Sequence, residues 1–265
     1  MASITRLPSF DSLTIDLEGP RGNAWGLFGD GNELGMLNLL TPAVVAQAGK
    51  EIRDGVRISL DWDLNQPEIP NFNRQPFRSE MIHKHPRSVN DDILTFNTQC
   101  SSQWDGFRHF GNQKLKLYFN GNTQEDLQRS TVLGIDASAR AEFHGSQGIH
   151  LEKSFPILKN SISLSAWSKA GGIAGRGVLL DWASWAERKK IPYSNFESSH
   201  IPLSGLQTIA AETDISFGPG DILFVRSGYT QSYNGLSSSE RLAISQRSSP
   251  DFLGVQAGEE TLRWL

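Results

Sequence analysis

The stretch richest in chemically active side chains begins at Gln99 and reads QCSSQWDGFRHF. If a strand continues through Gln99, Ser101 and Gln103, these three side chains share one of its faces. Asp105 and His109 follow at a turn or helix start, where side chains four positions apart meet. A carboxylate, an imidazole and two amides would then converge on a small volume, hold a polar substrate and move a proton. The alternative is a polar turn capped by Asp105, and we favour the functional interpretation.

Two other residue types could carry chemistry, and for each a structural role is the more common case. His83 and His85 flank one lysine and could bind a metal ion as a pair on one face of a strand. Histidines in a polar loop are more often simply exposed to water. Cys100, the one cysteine of the chain, would be a nucleophile only beside a base or a cation. A lone cysteine is more often a small buried apolar residue.

The glycine clusters do not predict a nucleotide site. Gly172, Gly175 and Gly177 precede a predicted strand, whereas the glycines of a dinucleotide fingerprint follow one. The sequence contains neither a Walker A motif nor G-x-S-x-G, and residues 144–148 (HGSQG) only approach the latter. The sequence therefore gives little support to a nucleotide-binding protein or to a hydrolase with a nucleophile elbow.

The elements that must position the Gln99 stretch follow from apolar spacing and turn chemistry. Residues 56–63 alternate apolar and polar side chains and predict a half-buried strand, and residues 93–98 predict a strand that leads into Gln99. Residues 66–87 predict a long surface loop or lid. Caps, turns and periodicity predict helices over residues 42–55, 182–190 and 203–213, a further helix that begins at the Ser237 capping box, and the start of another over residues 259–265. Residues 171–181 predict a Gly-rich turn that enters a buried strand, and residues 222–226 predict a second buried strand. This pattern favours one α/β domain with a mixed sheet.

The chain has 265 residues, a net charge of −4 and 38% hydrophobic residues. The apolar content supports a sizeable core, and the acidic balance without a basic stripe argues against a nucleic-acid partner. One cysteine excludes an intramolecular disulfide framework. Because we find neither a leader peptide nor an apolar run of about 18 residues, we expect a cytoplasmic protein with no membrane partner.

Several segments, in their order along the chain, resemble the cyclase family, whose best-known members are bacterial-type kynurenine formamidase and isatin hydrolase. The segments are AWGLFGDGNELGMLNLLTP, VRISLDW, FNTQCSSQWDGFRHFG, GGIAGRGVLLD, GDILFVRSGYT and GVQAGEETLRWL, and they are most similar to the fungal branch. The resemblance implies a single-domain α/β fold of the swivelling β/β/α type over residues 1–265 and a homo-oligomer. It also implies an insertion at residues 136–164 and the lack of a C-terminal segment that relatives carry.

The resemblance implies where the site lies. Hydrolases of the family carry H-x-G-T-H-x-D and a later His, which bind a Zn or Mn ion that activates water to open an amide or lactam. The motif positions are occupied here, in order, by Gln99, Ser101, Ser102, Gln103, Asp105 and His109. Because two imidazoles are replaced by weakly ligating amides, we expect no tight catalytic metal. Zn or Mn held by Asp105 and His109 is the alternative.

We therefore expect an enzyme that acts on a small cyclic or aromatic metabolite by hydrolysis, dehydration or ring closure. The expected catalytic residues are Asp105 and His109, as acid and base, with Gln103. The expected substrate-binding residues are Gln99 and Ser102, which would orient the substrate or an oxyanion, and Trp25 and Trp104, as pocket walls. The alternatives are a metal-dependent amide hydrolase of the arylformamidase or isatin hydrolase type and a non-catalytic binding protein or inactive remnant.

Overall fold

The structure is a computed structural model that describes residues 7–29, 32–129 and 164–265. The chain forms two compact units. Unit 1 consists of Met1–Ile52, Asp105–Arg176 and Gly218–Ile222, and unit 2 consists of Arg53–Trp104, Gly177–Phe217 and Leu223–Leu265. The predicted insertion at residues 136–164 lies, apart from its last residue, outside the described part of the chain.

The described residues form helices and short strands that follow one another along the chain. The helices are α1 (Pro42–Ala48), α2 (Gln124–Arg129), α3 (Leu164–Lys169), α4 (Trp182–Lys189), α5 (Leu203–Glu212), α6 (Tyr229–Asn234), α7 (Ser238–Ser245) and α8 (Glu259–Trp264). The strands are β1 (Arg78–His83), β2 (Asn90–Thr95), β3 (Gly177–Leu180), β4 (His200–Ile201), β5 (Ile222–Val225) and β6 (Gly254–Val255). Three two-stranded sheets result, β1–β2, β3–β5 and β4–β6. The combination of helices and strands confirms the predicted α/β class. The predicted mixed sheet is wrong for the described residues, because β1–β2 is antiparallel, β4–β6 is parallel, and they belong to separate sheets.

Local capping explains the helices that the sequence predicts well. The Thr41 hydroxyl accepts a hydrogen bond from the Val44 N–H at 3.3 Å, and Pro42 takes the first position of α1. α1 ends at Ala48 and continues as a short 3₁₀ turn, so the predicted extension to residue 55 is wrong. At α7 the Ser237 side chain and the Glu240 side chain satisfy each other's backbone N–H groups, as the capping-box sequence predicts.

The core of unit 2 lies where α4 and α5 pack beside β3 and β4. Its buried residues are Leu180, Trp182, Trp185, Ala186, Ile201, Leu206, Ile209 and Ala210. Asp181 is the N-cap of α4, and its carboxylate accepts from the Ser184 N–H at 3.0 Å and from Arg226 Nη1 at 2.9 Å. The Arg226 N–H in turn donates to the Leu180 carbonyl. The end of β3, the start of α4 and the end of β5 are therefore joined by one group of hydrogen bonds.

Two predictions for the segments before Gln99, one loop and one strand, need correction. Residues 66–87 contain β1, which pairs with β2 in a hairpin from Arg78 opposite Thr95 to His83 opposite Asn90, so the segment is not simply a loop. Residues 56–63 form no strand in the described part of the chain. Alternation identifies two faces of a segment but not a partner, and a strand needs a partner for its backbone.

Over residues 7–29, 32–129 and 164–265, no helix is both long enough and apolar enough to cross a membrane.

Candidate functional site

The turn that begins at Gln99 lies in unit 2 and is fixed by hydrogen bonds to a neighbouring loop. The Ser101 N–H donates to the Gln66 carbonyl at 2.8 Å, and the Ser101 hydroxyl donates to the Trp62 carbonyl at 2.5 Å. The Ser102 hydroxyl accepts from the Trp62 N–H at 2.7 Å. Two serines of the motif therefore hold both backbone groups of one residue, Trp62.

The predicted strand face made of Gln99, Ser101 and Gln103 is wrong. β2 ends at Thr95, and Ser101 has a φ of 59°, which is in the left-handed region. A residue with that φ ends a strand, so the side chains on either side of it do not alternate across one sheet face. Ser101 occupies the motif position at which hydrolases of the resembled family carry glycine. Glycine adopts this φ without the steric cost of a Cβ, which explains why it suits the position.

The remaining motif residues of unit 2 differ in how firmly they are held. Gln99 is half-buried; its N–H donates to Asn97 Oδ1 at 2.9 Å, and its carbonyl accepts from Arg74 Nη1 at 3.5 Å. Gln103 is exposed, and the Trp104 side chain is 58% exposed. The backbone of Gln99 is thus anchored, whereas the other two side chains face solvent in this unit.

Cys100 lies within this turn and is only 4% exposed. Burial raises the pKa of its thiol by more than the nearby Arg74 guanidinium and the Asn97 backbone lower it. A thiol with a raised pKa is a poor nucleophile at neutral pH. This supports the interpretation of Cys100 as a small packed residue.

Asp105 and His109 lie in unit 1 and are brought together by a turn. The His109 N–H donates to the Gly106 carbonyl at 3.0 Å, and Asp105 Oδ2 lies 4.0 Å from His109 Nε2. Both side chains are partly exposed, at 45% and 36% respectively. The predicted juxtaposition of a carboxylate and an imidazole is therefore present, through a turn and not a helix. The distance suits an ion pair with a protonated imidazole and is longer than a hydrogen bond.

Phe107 anchors the turn that carries these two residues. Its ring stacks on Phe119 with centroids 4.1 Å apart and meets the edge of Trp167 at 5.7 Å. A Cβ placed on Gly35 would collide with the Phe107 ring, so only glycine fits opposite it. Asp105 and His109 therefore flank a residue that is packed firmly into unit 1.

Trp25 also lies in unit 1, where it packs against its own loop. Its N–H donates to Asn23 Oδ1 at 3.0 Å, and a Cβ on Gly19 would come within 2.7 Å of its indole ring. The ring is half-buried and also lies near Gly121. These contacts give Trp25 a packing role, and its role as a pocket wall remains a prediction.

Sequence reasoning missed an aromatic cluster in unit 2 made of Trp62, Tyr229 and Tyr233. The Trp62 ring meets Tyr233 edge-on at 5.3 Å and Tyr229 at 6.2 Å. Burial, and next the neighbouring Tyr233, raise the pKa of Tyr229 to about 12, although a hydrogen bond from the Asn71 side chain opposes the shift. Trp62 ends VRISLDW and Tyr229 lies in GDILFVRSGYT, so both were within segments that carry the family resemblance.

Two buried amide oxygens beside this cluster have no hydrogen-bond partner among the described residues. They are Oδ1 of Asn71 and Oε1 of Gln66. The Asn71 side chain also bonds the Tyr229 phenol, and the Gln66 carbonyl accepts from Ser101. An unsatisfied buried acceptor costs about 1–3 kcal/mol, so this part of unit 2 holds acceptors suited to a donor from outside the described chain.

The donor side chains do not fit a zinc or manganese centre. Catalytic zinc is held by three strong protein ligands and an open position, and the motif here supplies Asp105 and His109 with two amides. His83 and His85 have ring centroids 4.1 Å apart on the β1–β2 hairpin. Among the residues that the structure describes, no group of three or more His, Cys, Asp or Glu side chains is placed to hold a metal ion. The motif side chains therefore do not supply the ligand set of a catalytic zinc or manganese site.

A separate groove in unit 2 has a volume of about 430 Å³. Its lining includes Trp182, Trp185, Tyr193 and His200. None of these belongs to the predicted site, and the groove lies along the outer side of the α4–α5 core.

Comparisons with known proteins agree on the family. The Cyclase family model, described as "Putative cyclase", matches residues 56–265. A solved structure titled "Crystal structure of a novel cyclase" superposes with a TM-score of 0.64 at 24% sequence identity, covering 91% of this chain and 72% of that one. No curated protein sequence matches the chain. At this identity the solved structure supports the fold alone, whereas the family match spans most of the sequence, including the motif and the aromatic cluster. The chain therefore belongs to the Cyclase family.

Proposed function

We propose that the chain is an enzyme that acts on a small cyclic or aromatic metabolite by hydrolysis, dehydration or ring closure. The observation that carries the proposal is the pairing of Asp105 Oδ2 with His109 Nε2 at 4.0 Å on a turn anchored by Phe107. A carboxylate beside an imidazole stabilises the imidazolium that forms when the ring accepts a proton. The partial exposure of both groups leaves them within reach of a substrate.

In this proposal His109 is the acid–base group and Asp105 stabilises its charged form. The imidazole accepts the proton of an attacking water or hydroxyl and returns it to the leaving oxygen or nitrogen. Gln103, Gln99 and Ser102 orient the substrate or an oxyanion. The Ser102 hydroxyl accepts from the Trp62 N–H, and a hydroxyl that accepts one hydrogen bond still has its own proton to donate.

We further propose that the reaction does not use a tightly bound metal. The support is the chemistry of the donor set, since amide oxygens occupy both motif positions at which family hydrolases carry histidine. Metal analysis of the purified protein tests this point. Stoichiometric zinc or manganese, with activity lost to a chelator and restored by the ion, would establish the alternative of a metal-dependent amide hydrolase.

The experiment that tests the enzymatic proposal is a substrate screen followed by two substitutions. Small aryl amides, lactams, lactones and β-hydroxy ketones are incubated with the protein, and mass spectrometry detects the gain or loss of one water. For any substrate found, we expect Asp105→Asn and His109→Ala each to lower turnover by about 100-fold or more. His85→Ala, at an exposed histidine outside the pair, is the matched control and should leave turnover unchanged.

The same screen separates the enzyme from a non-catalytic binding protein. Ligand binding without turnover, unaffected by combining Asp105→Asn with His109→Ala, would contradict the enzymatic proposal. Turnover that survives both substitutions would leave the protein an enzyme but would refute the roles given to these two residues.

The finer family assignment is also part of the proposal. We propose the swivelling β/β/α form of the fold, a place in the fungal branch in which Gln99 and Gln103 replace histidines, and a cytoplasmic homo-oligomer. The fold likeness to the solved cyclase supports the form of the fold. The quoted segments and their order along the chain support the branch and the homo-oligomer.

A further inference from the structure

Residues 56–61 of unit 2 form an exposed segment that belongs to no helix or strand. It contains no turn or bend, and within the described residues no hydrogen bond involves its backbone. Its apolar side chains Val56, Ile58 and Leu60 are 74%, 77% and 73% exposed. An edge strand without a neighbour typically shows both features, namely large aliphatic side chains at alternate positions and unpaired backbone groups.

We propose that this segment pairs with the same segment of a second copy of the chain, antiparallel and with a two-fold axis at Ser59. In that register Arg57 lies opposite Asp61 of the other copy, and the symmetry repeats the pair. Ile58 lies opposite Leu60 on the other face, again twice. Directly opposite residues of an antiparallel pair project to the same side, so one face carries both ion pairs and the other carries the apolar side chains.

The charges favour this register over its alternatives. Parallel self-pairing in register would place Arg57 against Arg57 and Asp61 against Asp61, and like charges directly opposite are destabilising. An antiparallel axis at Ile58 would put Asp61 opposite Gly55 and leave Arg57 opposite Ser59. The segment is therefore self-complementary in one antiparallel register, as an isologous two-fold interface requires.

The hydrogen bonds of the motif set the end of the pairing. The N–H and carbonyl of Trp62 are held by Ser102 and Ser101, so an axis at Leu60, which needs Trp62 in the ladder, would compete with them. With the axis at Ser59 the ladder runs over residues 57–61 and leaves Trp62 in place.

The size of this contact predicts a weak dimer. Stable interfaces bury at least about 1,200 Å² in total, and a five-residue ladder with three exposed aliphatic side chains per copy supplies less than that. We expect reversible association that is lost on dilution. The inference rests on the homo-oligomer proposed above and names its interface, but it is independent of the proposed enzymatic activity because it uses neither Asp105 nor His109.

A charge-exchange experiment tests the register. Sedimentation equilibrium over a concentration series should show a monomer–dimer equilibrium for the full chain. Arg57→Asp alone and Asp61→Arg alone each create two like-charge pairs, and we expect each to weaken dimerisation by about tenfold or more. Mixing the two single variants, or combining both changes in one chain, restores opposite charges across the axis. Either should return the dissociation constant to within about threefold of the original value.

A cysteine at the axis provides a second readout. Ser59→Cys should form an intermolecular disulfide on mild oxidation, because residues directly opposite in a ladder have Cα atoms about 4.5–5.5 Å apart, within disulfide range. Ser239→Cys, at an exposed position of α7, is the matched control and should cross-link far less. The native Cys100 is buried and adds little background.

Three results would overturn the proposal. They are a full chain that stays monomeric at every concentration, a dimer whose affinity is unchanged by both single charge variants, and variants that fail to recover on mixing. A monomeric chain would mean that something other than a second copy covers residues 56–61.

Discussion

The Ser101 hydroxyl donates a hydrogen bond to the Trp62 carbonyl at 2.5 Å, while the Ser101 backbone has a φ of 59°. The left-handed conformation costs a non-glycine residue about 1–2 kcal/mol. The hydroxyl bond returns about 1 kcal/mol and fixes Trp62 against the turn. The side chain at this motif position therefore compensates for the backbone conformation that it is forced to adopt.

Substitutions at Ser101 should separate these two effects. Ser101→Ala keeps the strained φ and loses the hydrogen bond, so we expect the free energy of unfolding to fall by about 1 kcal/mol. Ser101→Gly loses the same bond but relieves the strain, so the free energy of unfolding should change by less than the alanine variant's loss. Urea unfolding measures both values. Ser79→Ala, at an exposed position of β1, is the control, and a glycine variant less stable than the alanine variant would contradict the argument.

Gly35 should control the position of the turn that carries Asp105 and His109. A methyl group at Gly35 would collide with the Phe107 ring, and its φ of 55° disfavours any side chain. We expect Gly35→Ala to destabilise unit 1 by about 1–3 kcal/mol and to lower turnover of any substrate found. The readouts are urea unfolding and steady-state kinetics.

Gly55→Ala is the matched control for Gly35. Gly55 also has a positive φ, of 65°, but a Cβ there has nothing within 4 Å. Gly55→Ala should therefore lose only the stability that a side chain costs at a positive φ, with no added loss from a steric collision. If the two alanine variants lost equal stability, the packing of Phe107 on Gly35 would not matter.

The sequence predicts elements whose signals are local and misses those that depend on a partner. The helix after Asp181 and the capping box at Ser237 are confirmed because each depends on residues within a few positions. The strand over residues 56–63 is not formed, since alternation carries no information about which backbone would pair with it. Whether these residues form a strand depends on a backbone partner that is distant in the sequence.

The candidate site shows the same division. The approach of Asp105 to His109 is a four-residue relationship and could be predicted. The left-handed Ser101 could not, because a serine gives no propensity signal for a positive φ and the bonds that hold it come from Gln66 and Trp62. Tyr229 was missed because its environment is made by residues far away in the sequence.

Asp181 should make unit 2 sensitive to acid. Burial alone would raise the pKa of its carboxyl, but hydrogen bonds from the Ser184 N–H, Arg226 and the Ser184 hydroxyl together outweigh it and lower the pKa. A lowered folded-state pKa means that the unfolded chain binds the proton first. The stabilisation is therefore complete above about pH 4 and is lost as the pH falls through the folded-state value.

Measuring unfolding free energies from pH 6 to pH 2.5 for the wild type and Asp181→Asn tests this. The asparagine variant keeps a good helix cap but has no titrating carboxyl. The difference in stability between the two proteins should therefore shrink as the pH falls. Asp251→Asn, at an exposed position, is the control for replacing one surface carboxyl by an amide. A stability difference for Asp181→Asn that does not change with pH would contradict the role of this carboxyl.

Tyr229 should have the opposite effect at alkaline pH. Burial raises the pKa of its phenol to about 12, against 10.0 for an unperturbed tyrosine. Between these values the folded protein keeps a proton that the unfolded chain has released. Stability that is fully present below pH 10 is therefore lost as the pH rises towards 12, by up to about 1.4 kcal/mol per pH unit.

Tyr229→Phe has no such proton, so its unfolding free energy should fall less steeply over this range. Urea unfolding at pH 9, 10 and 11 measures the two slopes, with Tyr118→Phe, at a half-buried tyrosine of unit 1, as control. Equal slopes for the wild type and Tyr229→Phe would show that the phenol ionises as readily in the folded protein as in the unfolded chain.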